Sequence, residues 1–575
     1  MKNRSLTACI ITLLIASMTA GCGMQKEAVS ELKNMVSSKL QSYEAADAVV
    51  EETCMETGSY MSGAAPMSAA AVDGEAYCYE PAYIEPDWSE PDWNTEEYSY
   101  EEENPFFSAM ATPFSTFAAD VDTASYANVR RMILGGEDVT PDAVRAEEMI
   151  NYFRYAYDGP AAGEPFGVTT ELAPCPWNDE AQLLLIGLQA EKPDTSKMPA
   201  SNLVFLIDVS GSMTDSNKLP LVKRSFLTLM ETLSDDDRVT LITYADGEQV
   251  LCEGVKGSEK ATVMSLLESL EAGGATDGQH ALEMAYEAAE ENYIEGGNNR
   301  IILATDGDFN VGITSEGDLT RYIKEKTDSG ICLSVLGYGM GNYKDNKMEA
   351  IADNGNGNYY YIDDIAEARK VLVEEAGGTL FTVAKDVKLQ VEFNPAMVKG
   401  YRLIGYENRT MAAEDFSDDT KDGGELGAGH QVTALYEVIP AESDFPVPEV
   451  TSRYQTSRSS ADIDDQESKE TENVKDSAAA DNEIGSEWLT VNIRYKAPDG
   501  NTSKLLEYPV NDTSFREEMS DNMSWAAGVA QTAMLLKDSA YAGTSSYEDV
   551  KDRLKDIADD DYREEFLYLL TRLAR

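Results

Sequence analysis

FLIDVSGSMT, residues 205–214, ends an apolar run at Asp208 and then sets serines at positions 210 and 212. An apolar run closed by an acid is what a buried strand looks like where it leaves its sheet. In an open α/β sheet, ligands bind in the crevice beyond the carboxyl ends of the strands. Extended backbone after Asp208 turns the oxygens of Asp208, Ser210 and Ser212 to one side, and Gly211 lets the chain curl. One carboxylate and two hydroxyls on a tight loop suit a hard divalent cation, Mg2+ above all, with Mn2+ or Ca2+ as the alternatives. A second strand end, ATDGDFN, places Asp306 after IILAT as Asp208 follows VFLI, and the loop EAGGATDGQHAL offers Thr276 ahead of a helix. Aspartate and serine after a strand also cap helices. It is the joint occurrence of these three pieces, in this order and at sheet-like spacing, that points to a metal site.

Outward from this stretch, residues 200–380 alternate apolar strands (NLVFLID, RVTLITYA, RIILATD, ICLSVLGY, GNYYYID) with segments carrying apolar residues three and four apart. That alternation predicts βα units wound on both faces of a mostly parallel sheet. The flanks differ. PFGVTTELAPCPWNDEAQLLLIGLQAE before the insertion, and VKLQVEFNPAMVKGYRLIGYEN, HQVTALYEVIPAE and WLTVNIRYKAPDGNTSKLLEYPV after it, alternate with period two between Pro, Gly and Asn. They predict antiparallel strands, hence a β-sandwich built from both sides of the inserted α/β domain. Residues 513–575 carry helical periodicity and predict a C-terminal helical segment, and TPDAVRAEEMINYFRYAY predicts one more helix before the insertion.

At 575 residues the chain exceeds the size of one growing core. The expected segments are a signal peptide at 1–22, an acidic disordered tether at 23–104, an N-terminal segment at 105–199, the α/β domain at 200–380, a β-rich segment at 381–512 interrupted by a polar disordered loop at 451–486, and the helical segment at 513–575. A formal net charge of -58 disfavours nucleic acid, whose phosphates are bound by Lys and Arg. MKNRSLTACIITLLIASMTAGC opens with Lys2 and Arg4, continues apolar and ends in small residues, the pattern of an export signal. Its ending resembles the lipobox of bacterial lipoproteins, with Thr19 where Leu is usual, which implies an acylated Cys22 and a chain anchored to the cell membrane through lipid. Five cysteines remain after Cys22, an odd number without CxxC spacing, so neither a zinc site nor a disulfide framework is indicated.

The strand-end motifs resemble the von Willebrand factor type A domain with its metal-ion-dependent adhesion site. The resemblance implies that Asp208, Ser210, Ser212, Thr276 and Asp306 hold the ion directly or through water. STFAADVDTASYANVRR, RAEEMINYF, LATDGDFNVG and AKDVKLQVEFNPAMVKGYRLIGYENR further resemble the bacterial YfbK-like lipoproteins from about residue 105 onward. Two carboxylates and neutral hydroxyls leave a divalent cation with an open coordination position, so the expected partner is a protein presenting Asp or Glu to the metal, with no small-molecule substrate. Two other functions compete. One is an envelope scaffold in which the ion only steadies the fold. The other is a metal-dependent hydrolase, against which stand the Ser at position 210, the lack of a GK[ST] loop, and only two histidines, His280 and His430. The expectation is a non-enzyme.

Overall fold

The computed structural model describes residues 96–192, 198–276, 280–307, 316–327, 329–341, 343–375, 381–448, 487–498, 500 and 502–575, the side chains of 316–318 excepted. The signal peptide with Cys22, the first part of the tether and the 451–486 loop lie outside the described residues.

Two antiparallel sheets enclose one core. The first has the order β1 (Phe107–Ser108), β12 (Val398–Ile404), β15 (Gln431–Pro440), β4 (Gln182–Ala190), β3 (Phe166–Pro174). The second runs β13 (Thr410–Met411), β2 (Phe114–Ala118), β11 (Thr382–Phe393), β16 (Glu487–Lys496), β17 (Ser503–Asn511), with β14 (Gly424–Gly427) on the side of β11. Their inward residues, among them Phe117, Leu184, Ile186, Leu389, Val391, Val432 and Val491, form one buried cluster. Strands from 105–199 and 381–512 interleave in both sheets, so both flanks of the insert belong to one sandwich. Thr116 and Gln390, on neighbouring strands, are 274 positions apart and joined by a 2.9 Å hydrogen bond.

The α/β domain is inserted between β4 and β11. Its sheet has the order β10 (Tyr359–Ile362), β9 (Cys332–Tyr338), β8 (Asn298–Thr305), β5 (Ser201–Asp208), β6 (Arg238–Tyr244), β7 (Glu248–Lys256). All neighbours are parallel except β6 and β7. Helices α3 (Leu219–Thr232), α4 (Lys260–Glu268) and α8 (Ile365–Arg369) cover one face, and α5 (Ala281–Glu291), α6 (Glu316–Thr327) and α7 (Asp345–Asn354) the other. The four central strands β5, β6, β8 and β9 are almost wholly buried, which accounts for their unbroken apolar runs. The insert enters and leaves at one place: the Gly429 amide donates to Glu191 O at 2.8 Å, and the Ala428 amide to Phe381 O at 2.7 Å.

Helices α1 (Ala124–Gly135), α2 (Ala146–Asn151), α9 (Asp521–Leu536), α10 (Tyr547–Leu554) and α11 (Asp561–Leu573) gather on a third core around Trp525, Phe153, Tyr152 and Phe566. The helix expected from TPDAVRAEEMINYFRYAY is shorter than its periodicity suggests. Pro141 opens a 3-10 turn, and Phe153, Tyr155 and Tyr157 leave helical geometry to bury their rings.

Residues 96–104, expected to belong to the disordered tether, are built into the fold. Glu97 donates its amide to Tyr343 O (2.9 Å) and accepts from the Asp345 amide (3.2 Å), while Glu96 accepts from the Gly341 amide (2.8 Å) and from Arg131 (2.9 Å). Four backbone and carboxylate bonds hold two acids whose sequence context reads as a solvated stalk.

A network of buried charges fixes the insert against the sandwich. From one face of α7, Asp345, Glu349 and Asp353 pair with Arg145 and Arg409, which also hold Glu148, Asp120 and Asp122. Burial pushes Asp122 and Glu349 above the ordinary carboxylate range.

Candidate functional site

The candidate metal residues lie where β5 and β8 end side by side. Asp208 is the last residue of β5, fully buried between the ends of its two neighbours. One of its oxygens accepts from the Ser210 amide at 2.9 Å; the other accepts from Tyr244 Oη (3.2 Å), at the end of β6, and Thr305 Oγ1 (3.3 Å), at the end of β8. Burial raises this carboxyl to about 6, with the nearby Asp306 charge acting in the same direction and the hydrogen bonds from Ser210 and Tyr244 opposing it. Ser210 and Ser212 stand on one side of the loop with their hydroxyls 3.0 Å apart, the first buried and the second open to solvent.

The glycine-rich loop is strapped to this one by main chain. The Gly273 amide donates to Val209 O at 2.8 Å, the Gly211 amide to Gly274 O at 3.0 Å, and Asp246 accepts the Ala275 amide at 2.5 Å. Thr276, half-buried, ends the described part of that loop. Its hydroxyl makes no hydrogen bond to the other four candidates among the described residues, so it is the loop's backbone that joins it to the site.

Asp306 follows β8 and is buried. Oδ2 accepts from Lys218 Nζ at 2.9 Å, whereas Oδ1, equally buried, has no partner among the described residues. The next residue, Gly307, lies so near the loop before α7 that a Cβ there would stand 2.7 Å from the Lys344 amide nitrogen, and its φ of +99° is one that side chains rarely adopt.

These donors fit a hard cation. The set is all oxygen, two carboxylates and three hydroxyls, with one carboxylate oxygen left orphaned. Among the described residues no three His, Cys, Asp or Glu side chains form a metal-ligating group, so an ion here would rest on hydroxyl and water oxygens as much as on carboxylates. Sequence reasoning missed Lys218, Tyr244 and Thr305. The tyrosine and threonine end strands that flank β5, a position readable from strand alignment; the lysine has no such signal.

The comparisons agree with this architecture. A model described as von Willebrand factor type A domain matches residues 202–374, one described as von Willebrand factor matches 92–185, and one described as the C-terminal part of uncharacterized protein YfbK matches 378–575. The uncharacterized protein YfbK of Escherichia coli (strain K12) is 40% identical over 479 residues, covering 82% of this chain and 79% of its own. The inter-alpha-trypsin inhibitor heavy chain H4 of Homo sapiens is 30% identical over 147 residues, 24% of this chain and 16% of that protein. The solved von Willebrand factor type A protein from Catenulispora acidiphila has a TM-score of 0.38 at 14% identity, over 73% of this chain and 91% of its own. The chain belongs to the YfbK family, and its inserted α/β domain is a von Willebrand factor type A domain.

Proposed function

We propose that this chain is a cell-envelope lipoprotein, acylated at Cys22, that holds a divalent cation on Asp208, Ser210, Ser212, Thr276 and Asp306 and uses it to capture an Asp or Glu side chain of a partner protein. Domains of this type mediate protein interactions. The observation that carries the reading is Asp306 Oδ1, a buried carboxylate oxygen without a partner among the described residues, beside a fully buried Asp208 and a serine pair that reaches solvent. Leaving such an oxygen unpaired costs free energy that a ligand restores.

The chain's own groups shape the site. Tyr244, Thr305 and the Ser210 amide orient the Asp208 carboxylate, and the Gly273–Val209 and Gly211–Gly274 bonds hold the two loops in register. A bound Mg2+ supplies a coordination position that a carboxylate oxygen can take in place of water. The net charge of -58 repels an acidic partner only at close range, since screening acts over about 8 to 10 Å at physiological salt.

The test is Mg2+ titration of wild type and Asp208→Ala by calorimetry, with circular dichroism to show that both fold. Loss of Mg2+ binding in the variant is expected; an unchanged affinity removes the site. The anchor is tested by Cys22→Ser, which should abolish metabolic labelling with palmitate and release the chain from the membrane fraction.

A further inference from the structure

Lys218 is the one charged group that the candidate metal site contains beyond its carboxylates among the described contacts, and it is built in rather than draped over. Its side chain is 7% exposed. Its main chain is tied on both sides, the amide donating to Asp215 O and the carbonyl accepting from the Val222 amide, each at 2.9 Å. Its stem lies where a Cβ on residue 339 would be: at Gly339 that atom would stand 2.4 Å from Lys218 Cε and 2.6 Å from Cγ, and φ there is +76°. The glycine thus opens the channel through which the ammonium reaches Asp306 Oδ2, while Oδ1 stays unpaired.

Resting on the metal-site reading above, we propose that Lys218 is a specificity-determining residue, a resident positive charge that weakens the site's hold on the cation and strengthens its hold on an anionic ligand. Asp208 and Asp306 carry two negative charges and Lys218 removes one of them. A divalent cation therefore leaves the site one charge positive, and a single carboxylate from outside restores neutrality. Without the lysine the two aspartates would neutralise the cation by themselves, and the sixth oxygen could as well be water. In a buried site each such charge counts heavily, because little solvent screens it. The lysine also occupies one oxygen of Asp306 and so presents the other.

The experiment compares wild type, Lys218→Met, Lys218→Arg and Asp208→Ala, using Mg2+ alone in calorimetric titration and acetate as the anion probe, read by its effect on the electron paramagnetic resonance of the Mn2+-loaded protein. Lys218→Met should bind Mg2+ at least tenfold more tightly and respond to acetate at least tenfold more weakly. Lys218→Arg, which keeps the charge, should remain within about threefold of wild type for Mg2+. A folded Lys218→Met that binds Mg2+ no more tightly than wild type overturns the inference, and weaker binding assigns Lys218 a merely structural role. If Lys218→Met fails to fold, Lys218→Gln is judged by the same criterion. Wild type that binds no Mg2+, or binds it as Asp208→Ala does, brings down the metal-site reading itself; wild type that binds through Asp208 while Lys218→Met shows no gain brings down this inference alone.

Discussion

Arg409 shares with Arg145 the seating of the inserted domain, and Arg409→Met tests how much depends on it. The guanidinium lies 3.2 Å from Asp120, 3.5 Å from Asp122, 3.7 Å from Glu349 and 2.8 Å from Asp353. These four carboxylates would not suffer equally. Asp353 is 33% exposed and would turn to water, and Glu349 keeps Arg145 at 2.7 Å. Asp120 and Asp122, each 5% exposed, would lose the guanidinium and keep one backbone amide each, from Asp122 at 2.9 Å and from Tyr359 at 3.0 Å. Removing one partner of a buried pair costs about 3 to 5 kcal/mol, and with two of the four acids able to compensate the lower end, about 3 kcal/mol at pH 7, is expected. The loss should shrink in acid. Burial already holds Asp122 up with Arg409 beside it, and removing the guanidinium pushes it further up, so the folded variant takes up that proton at a higher pH than folded wild type and the gap narrows as pH falls, by up to about 1.4 kcal/mol per pH unit. Urea unfolding of both proteins at pH 7 and pH 5, followed by tryptophan fluorescence and circular dichroism, measures the gap. A gap under about 1 kcal/mol at pH 7, or one that stays constant or widens at pH 5, refutes the reasoning.

Three further outcomes are expected. His430 is buried with Nδ1 unpartnered among the described residues, and burial holds it down at about 4; a depressed histidine contributes stability that is complete above its ordinary value of 6.5 and is lost as pH falls from there to about 4, so His430→Gln should flatten that limb of a stability-against-pH curve. Trp525 is fully buried with ring centroids 5.4 Å from Phe153 and 5.8 Å from Phe566; Trp525→Ala should cost about 3 to 5 kcal/mol in chemical denaturation. Gly307→Ala forces a side chain into positive φ against the Lys344 amide, and should lower stability by about 1 to 3 kcal/mol and weaken Mg2+ binding, both read in the same calorimetric series.

How much of this was legible in the sequence depended on where the information sits. Asp208 and Asp306 could be read because each closes a run of buried strand residues, and the order of these runs carried the α/β fold with it. Period-two alternation likewise announced the sandwich on both sides of the insertion. β7 was not read as a strand: EQVLCEGVK is an edge element whose residues are only half-buried or exposed, so its pattern is weak. Helix α1 was passed over because it is buried nearly all round, leaving no polar face to set a period. Glu96 and Glu97 look like a solvated run until Gly341, Tyr343 and Asp345 supply their partners from some 245 residues away. Lys218 was missed for the same reason: its burial is decided by Gly339, on a different strand end, and nothing near Lys218 in the chain signals it.

The pinning of Glu191 and Phe381 to the adjacent residues Gly429 and Ala428 has a kinetic consequence. Strands such as β2 and β11 must find each other across an intervening stretch of 274 positions. The entropic cost of closing a flexible loop grows with the logarithm of its length, so an unfolded insert makes that encounter slow. A folded insert presents its two ends at one spot and turns a long loop into a short one. An insert that is already folded therefore lowers the cost of every strand pairing between the two flanks of the sandwich.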